Sequence, residues 1–209
     1  MLDQLSNAPW SRLFAAASLI ISLLFYREII DKFQLYFNFK LIIENKEFWR
    51  PFTSLFCFGS FSLSAVLAIN NFIQYCTQVE CFFFPNRPAD FLLFCLFGWL
   101  IMWVVASYYP IPFLGVSNSS YFMYYLCKRN PDQHLRLMVL PIPLSSSVVP
   151  YIMLALSSSE GLSATIPLLL GYGAAHLYFF IVDCLGLKYN INILKLPSVV
   201  NQFLFRLLN

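Results

Sequence analysis

Charge is what this sequence has least of. Only 11% of its 209 residues are Asp, Glu, Lys or Arg, against roughly a quarter in soluble globular domains. So few charges rule out a water-facing surface over most of the molecule. No polybasic run accompanies the formal net charge of +3, so neither nucleic acid nor an anionic membrane surface is implied as a partner. Histidine occurs only twice, which leaves few general bases. The six cysteines form no framework. Cys57, Cys95 and Cys127 lie within or at the ends of apolar runs, Cys76 and Cys81 flank a polar stretch, and Cys184 closes the last run. Disulfide scaffolds are short and loop-rich, and an isolated Cys-x4-Cys is too weak for a metal site. Free thiols are expected, with no metal and no cofactor. There is no internal repeat, low-complexity tract or soluble domain. A cleavable signal peptide is not expected either: Asp3 and Arg12, not a basic cluster, precede the apolar run from Leu13 to Tyr26. The first span is expected to serve as the signal anchor.

What fills the chain is apolar surface. Hydrophobic residues make up 59%, aromatics 19%, and mean hydropathy is +0.68. Crossing about 30 Å of hydrocarbon takes about 20 apolar residues. Six stretches qualify, at about 10–27, 52–73, 91–109, 112–128, 137–156 and 162–183. The expected fold is therefore an all-α membrane protein of six transmembrane helices. "YYPIP" (108–112) parts the third and fourth as a tight turn, since proline disfavours helix. The fifth carries the breakers of "LPIPLSSSVVP", which survive in a membrane only where protein or water satisfies the backbone. With the N-terminus in the cytosol, eight basic residues (Arg12, Arg87, Lys128, Arg129, Arg136, Lys188, Lys195, Arg206) fall inside and five (Arg27, Lys32, Lys40, Lys46, Arg50) outside. The balance predicts that both termini are cytosolic. The membrane domain is expected to cover residues 1–183, followed by a short cytosolic tail, 184–209.

The first external loop, "REIIDKFQLYFNFKLIIENKEFWRPFT" (27–53), mixes aromatic, aliphatic and charged residues as an interfacial segment does. Trp49 and Arg50 close it, an ordinary belt residue and an ordinary snorkeller.

"PFLGVSN" (112–118) places a Gly-X-Ser, Gly115 and Ser117, inside an apolar stretch. A serine nucleophile needs a base within about 3 Å. His134 sits in the basic loop "CKRNPDQHLRL", at the opposite membrane face. His176, in "LLLGYGAAHLYFF", falls about 12 Å deeper than Ser117 by helical rise. Ser117 thus has no base in reach and reads as a helix-packing residue beside Gly115, Ser119 and Ser120. Asn118-Ser119-Ser120 is a glycosylation sequon at a depth where no glycan is expected. Gly171 and Ala175 give a small-xxx-small pair on the last span. His176 and Asp183 are intramembrane or edge ionisable groups, which face the bundle or water rather than lipid.

Several of these stretches together resemble the derlins, rhomboid-like pseudoproteases of the endoplasmic reticulum. "FWRPFTSLFCFG" (48–59) resembles the derlin approach to the second span, and "YCTQVE" (75–80) with "RPADFLLFCLFG" (87–98) the following loop and third span. "FLGVSNSSYFMYYLCKRNP" (113–131) is similar to the fourth span, "GYGAAHLYFFIVD" (171–183) to the sixth, and "ILKLPS" (193–198) to the start of the tail. The resemblance implies a six-helix rhomboid-like bundle whose external face is the lumen of the endoplasmic reticulum. It matches Trp49 and Arg50 to a Trp-Arg motif, and Gly171 to Ala175 to a Gly-xxx-Gly, with Ala175 departing from glycine. Active rhomboids carry the catalytic histidine one turn before that pair, which here is Leu168; His176 matches the histidine that derlins carry after it. Gly115 and Ser117 fit the rhomboid nucleophile position as a relic.

The function implied is a non-enzymatic part of endoplasmic-reticulum-associated degradation. Its partners would be misfolded protein substrates, a membrane-embedded ubiquitin ligase complex with lumenal substrate receptors, and the lipid bilayer. A cytosolic AAA ATPase would be reached only indirectly, because the sequence shows no glycine-rich ATPase-binding motif. The alternative is an active intramembrane serine protease using Ser117. A transporter would need paired mid-membrane ionisable residues.

Overall fold

The computed structural model describes residues 8–132, 134–137, 140–189 and 201. A helix α1 spans Pro9–Tyr26, with proline at its first turn where no amide hydrogen is needed. The loop after it holds three short helices: α2 (Lys32–Leu35), α3 (Phe39–Glu44) and α4 (Arg50–Leu55). Two long helices follow, α5 (Leu63–Phe83) and α6 (Pro88–Tyr108), and then α7 (Gly115–Arg129). A two-stranded antiparallel hairpin, β1 (His134–Leu137) and β2 (Leu140–Ser145), precedes α8 (Val149–Glu160) and α9 (Leu162–Tyr178). The last helix continues through a π-helical turn, Phe179–Leu185, into α10 (Gly186–Tyr189).

Two sequence expectations are corrected. The second apolar stretch, expected as one span at 52–73, breaks between α4 and α5, with residues 56–62 non-helical and Gly59 at a φ of +100°. The fifth, expected at 137–156, is a hairpin followed by a helix of 12 residues. The fold is therefore mostly helical rather than all-α. Pro141 and Pro143 have no amide hydrogen for a helix, but a hairpin strand tolerates them on its unpaired edge. Gly161, at a φ of +109°, joins α8 to α9 in a turn open only to glycine without strain.

Among the described residues, three helices are long and apolar enough to cross a membrane: Pro9–Tyr26, Pro88–Tyr108 and Leu162–Leu185. The helix expected to end near 183 runs on unbroken to Tyr189. The rest of the tail, with "ILKLPS", lies outside the described residues apart from Asn201.

The core sits where α7 is enclosed by α5, α6 and α9. Phe72, Phe91, Phe94, Tyr121, Phe122, Tyr125 and Tyr178 are buried there. Their rings meet edge-on or tilted, as with Phe94 and Tyr178 at 4.8 Å between centroids; such pairs add about 0.5–1.5 kcal/mol each beyond the buried area. This aromatic column holds α7, and the serine on it, in a fixed register against α9.

Candidate functional site

The Gly-X-Ser opens α7, so Ser117 lies in its first turn. A Cβ on Gly115 would collide with the Cys57 carbonyl; glycine is what lets α7 start against the chain leading into α5. Ser117 is fully buried, and its hydroxyl has no hydrogen-bond partner among the described residues. Its neighbour Asn118 is equally buried, accepting from Trp99 Nε1 at 3.0 Å and donating to the Leu55 carbonyl at 3.3 Å. The sequon asparagine is thus an internal strut between α6, α7 and the end of α4.

Facing this turn is the small-residue stretch of α9. A Cβ on Gly171 would fall on the Ser120 hydroxyl and the Ser117 carbonyl. Ala175 is buried one turn further on, and no atom lies within 4 Å of where a Gly173 Cβ would be. Ser120 Oγ donates to the Ser117 carbonyl at 3.0 Å and the Leu168 carbonyl at 3.3 Å. Close backbone approach through small residues ties the two helices together here.

His176 is elsewhere. Its Nδ1 is hydrogen-bonded at 2.9 Å to the hydroxyl of Tyr124, a residue about 10 Å along α7 from Ser117 by helical rise. Beside the serine, the matching stretch of α9 offers Leu168. Among the described side chains none offers the Ser117 hydroxyl a hydrogen-bonding base, and a serine without one is a poor nucleophile. The side chain of His134, on β1, is outside the description.

In the loop, Trp49 and Arg50 part company. Trp49 is 55% exposed, whereas Arg50 is 5% exposed. The guanidinium pairs with Glu47 and donates to the carbonyls of Phe33 at 2.6 Å and Tyr36 at 3.2 Å, lying over the Tyr36 ring at 5.2 Å. Arg50 therefore closes the C-terminal end of α2 onto the start of α4. A planar fork with several donors suits this task, and an ammonium does not.

Three polar fastenings lie at the other end of the bundle; sequence reasoning singled out Asp183 but none of the pairings. Glu80 on α5 accepts from the backbone amides of Trp10 at 3.1 Å and Ser11 at 2.9 Å, and from Ser11 Oγ at 2.6 Å. It serves as the N-cap that Ala8 cannot provide for α1. Asn201 Oδ1 accepts from the amide of Ala89 at 3.0 Å and of Asp90 at 3.4 Å, capping α6 from a distant part of the chain. Asp183, in the π-helical turn, pairs with Arg129 and accepts from the Tyr125 hydroxyl at 3.2 Å. An acidic residue amid apolar sequence is a signal for such a partner, and Glu80 carried it; for Asn201 no local pattern points 112 residues away.

The family model for the Der1-like family matches residues 8–198. "Derlin-1" of Arabidopsis thaliana is 34% identical over 169 residues, 80% of this chain and 63% of that protein. "Derlin-1.1" of Zea mays is 29% identical over 204 residues, 96% of this chain and 83% of its own length. The "Probable derlin-2 homolog" of Dictyostelium discoideum is 24% identical over 210 residues, covering 97% of this chain and 82% of its own. The chain spans under two thirds of the Arabidopsis relative but over four fifths of the other two. The chain belongs to the Der1-like family and is a multi-pass membrane protein.

Proposed function

We propose that this protein is a non-catalytic component of endoplasmic-reticulum-associated degradation that helps misfolded lumenal or membrane proteins cross to the cytosol. The observation that carries it is a polar row on α5. Asn70, Gln74 and Gln78 recur one turn apart, with Asn71 beside them, on the side opposite the buried Phe72, Cys76 and Val79. All four are half-buried. In hydrocarbon, polar backbone costs several kcal/mol per unsatisfied group. The amides of Asn71, Gln74 and Gln78 in this row offer a translocating segment the hydrogen bonds that lipid cannot.

A short element supports bilayer thinning beside this row. The 12 residues of α8, of which only Val149 and Pro150 are buried, rise about 18 Å against about 30 Å of hydrocarbon. A span this short draws the leaflets together. With α5 and α8 flanking it, the row lines a wet lateral groove. The reading places the chain in the endoplasmic reticulum membrane with six crossings. Both ends lie in the cytosol, consistent with Trp10 and Asn201 reaching the same end of the bundle, at Glu80 and Ala89. The groove would receive substrates from a membrane-embedded ubiquitin ligase complex and its lumenal receptors, and the ATPase would act through other members. The residues at the rhomboid nucleophile position, Gly115 and Ser117, would serve only packing.

The test replaces Asn71, Gln74 and Gln78 by leucine in cells lacking the native protein, following decay of a misfolded lumenal glycoprotein and co-purification with the ligase. Slowed decay with intact co-purification is expected. Normal decay with intact co-purification would overturn the groove.

A further inference from the structure

At the end of the bundle remote from Glu80 and Asp183, the interfacial loop stands off the C-terminal end of α6 and leaves between them an open-sided cavity of about 710 Å³. Its walls are aromatic: Tyr36, Phe37, Phe39 and Tyr108 all line it. Among the described residues its only charged lining side chains are Lys40 and Glu44, on successive turns of α3, with Nζ and Oε1 4.0 Å apart and both well exposed. Phe39 and Ile43 run alongside them as an apolar row on the same short helix. The Phe37 amide donates to the Pro112 carbonyl at 2.8 Å, which holds the loop against the turn between α6 and α7. Tyr108 is 89% exposed, at the level where aromatic residues mark the membrane interface.

The geometry points to a binding site for one phospholipid with a phosphocholine headgroup. The volume falls in the range of ligand pockets, about 300–1,000 Å³. Charge complementarity selects the headgroup: one ammonium and one carboxylate side by side match a zwitterion, the phosphate meeting Lys40 and the trimethylammonium meeting Glu44. An anionic lipid would bring its net charge against that carboxylate. Tyr108, the exposed aromatic of this lining, favours choline over ethanolamine, because a quaternary ammonium has no N–H to satisfy and binds a ring face. The acyl chains leave along Phe39 and Ile43 into the bilayer. A lipid held here pins the interfacial loop to α6 at the edge of the membrane.

The full-length protein, purified in mild detergent and given equimolar phosphatidylcholine, phosphatidylethanolamine and phosphatidylglycerol, is examined by native mass spectrometry. Retention of phosphatidylcholine about threefold or more above both others is expected, a ratio within the reach of one exposed cation–π site. Tyr108→Ala together with Glu44→Gln, both exposed, should bring the three lipids to parity without lowering the Tm. Tyr151→Ala, an exposed aromatic on α8 outside the cavity, should leave the preference intact. Equal retention by the wild type, preference for the anionic or the ethanolamine lipid, survival of the preference in the double variant, or its loss in Tyr151→Ala would each overturn the site.

Discussion

His176 Nδ1 and the Tyr124 hydroxyl lie 2.9 Å apart, joining α9 to α7 about two turns below the serine that a histidine would have to serve. Fluorophosphonate should therefore leave the wild-type protein unlabelled, and Ser117→Ala should degrade a misfolded lumenal glycoprotein at the normal rate. Labelling that disappears in either Ser117→Ala or His176→Ala would mean that the two residues meet after all, and that the protein is a protease.

Glu80 holds the start of α1 through three hydrogen bonds. Glu80→Leu leaves two amides without their acceptor and the Ser11 hydroxyl with only the Cys76 thiol at 3.3 Å, at about 1–3 kcal/mol for each buried amide left unpaired. The Tm should fall by about 5 °C or more. Glu80→Gln keeps an acceptor oxygen and should lose less than half as much. Equal losses for the two variants would show that shape, not hydrogen bonding, matters at this position.

The two glycines of α9 should behave oppositely. Gly171→Ala drives a methyl into Ser120 and the Ser117 backbone; overpacking of this kind costs about 1–3 kcal/mol. Gly173 faces open space, and alanine there gains up to about 1 kcal/mol of helix propensity. Thermal unfolding in detergent reads both. A Gly171→Ala protein as stable as the wild type would mean that α7 and α9 separate more easily than their contact implies.

Arg50→Lys should fail to rescue Arg50→Ala. The carbonyls of Phe33 and Tyr36 are held together by one guanidinium nitrogen while Nε pairs with Glu47, and an ammonium cannot span that arrangement. Limited proteolysis of residues 27–49 in reconstituted protein should accelerate several-fold in both variants, whereas Trp49→Ala, at an exposed site, should leave the loop protected. Protection of the lysine variant would reduce Arg50 to a point charge.

Of the predicted spans, those at 10–27, 91–109 and 162–183 survive as helices long and apolar enough to cross, where helix satisfies the backbone in lipid, and that at 112–128 survives as the shorter α7. The two that did not, at 52–73 and 137–156, contain the residues that weaken that rule. Gly59 and its neighbours admit a non-helical stretch, and "LPIPLS" lacks the amide hydrogens a helix would use. There the apolar count was right and the backbone path was wrong, since hydropathy measures composition and not hydrogen bonding.

Sequence by itself determined that this is a membrane protein and marked the three helices apolar enough to cross, and helical rise already set His176 well away from Ser117, because it converts residue spacing directly into distance. Only the tertiary structure decided the partners: Tyr124 for His176, Arg129 for Asp183, the start of α1 for Glu80, and the end of α6 for Asn201. Each of these joins residues from separate parts of the chain. Such pairings depend on which faces the aromatic core turns inward, and that is settled by packing among the helices rather than by the pattern along any one of them.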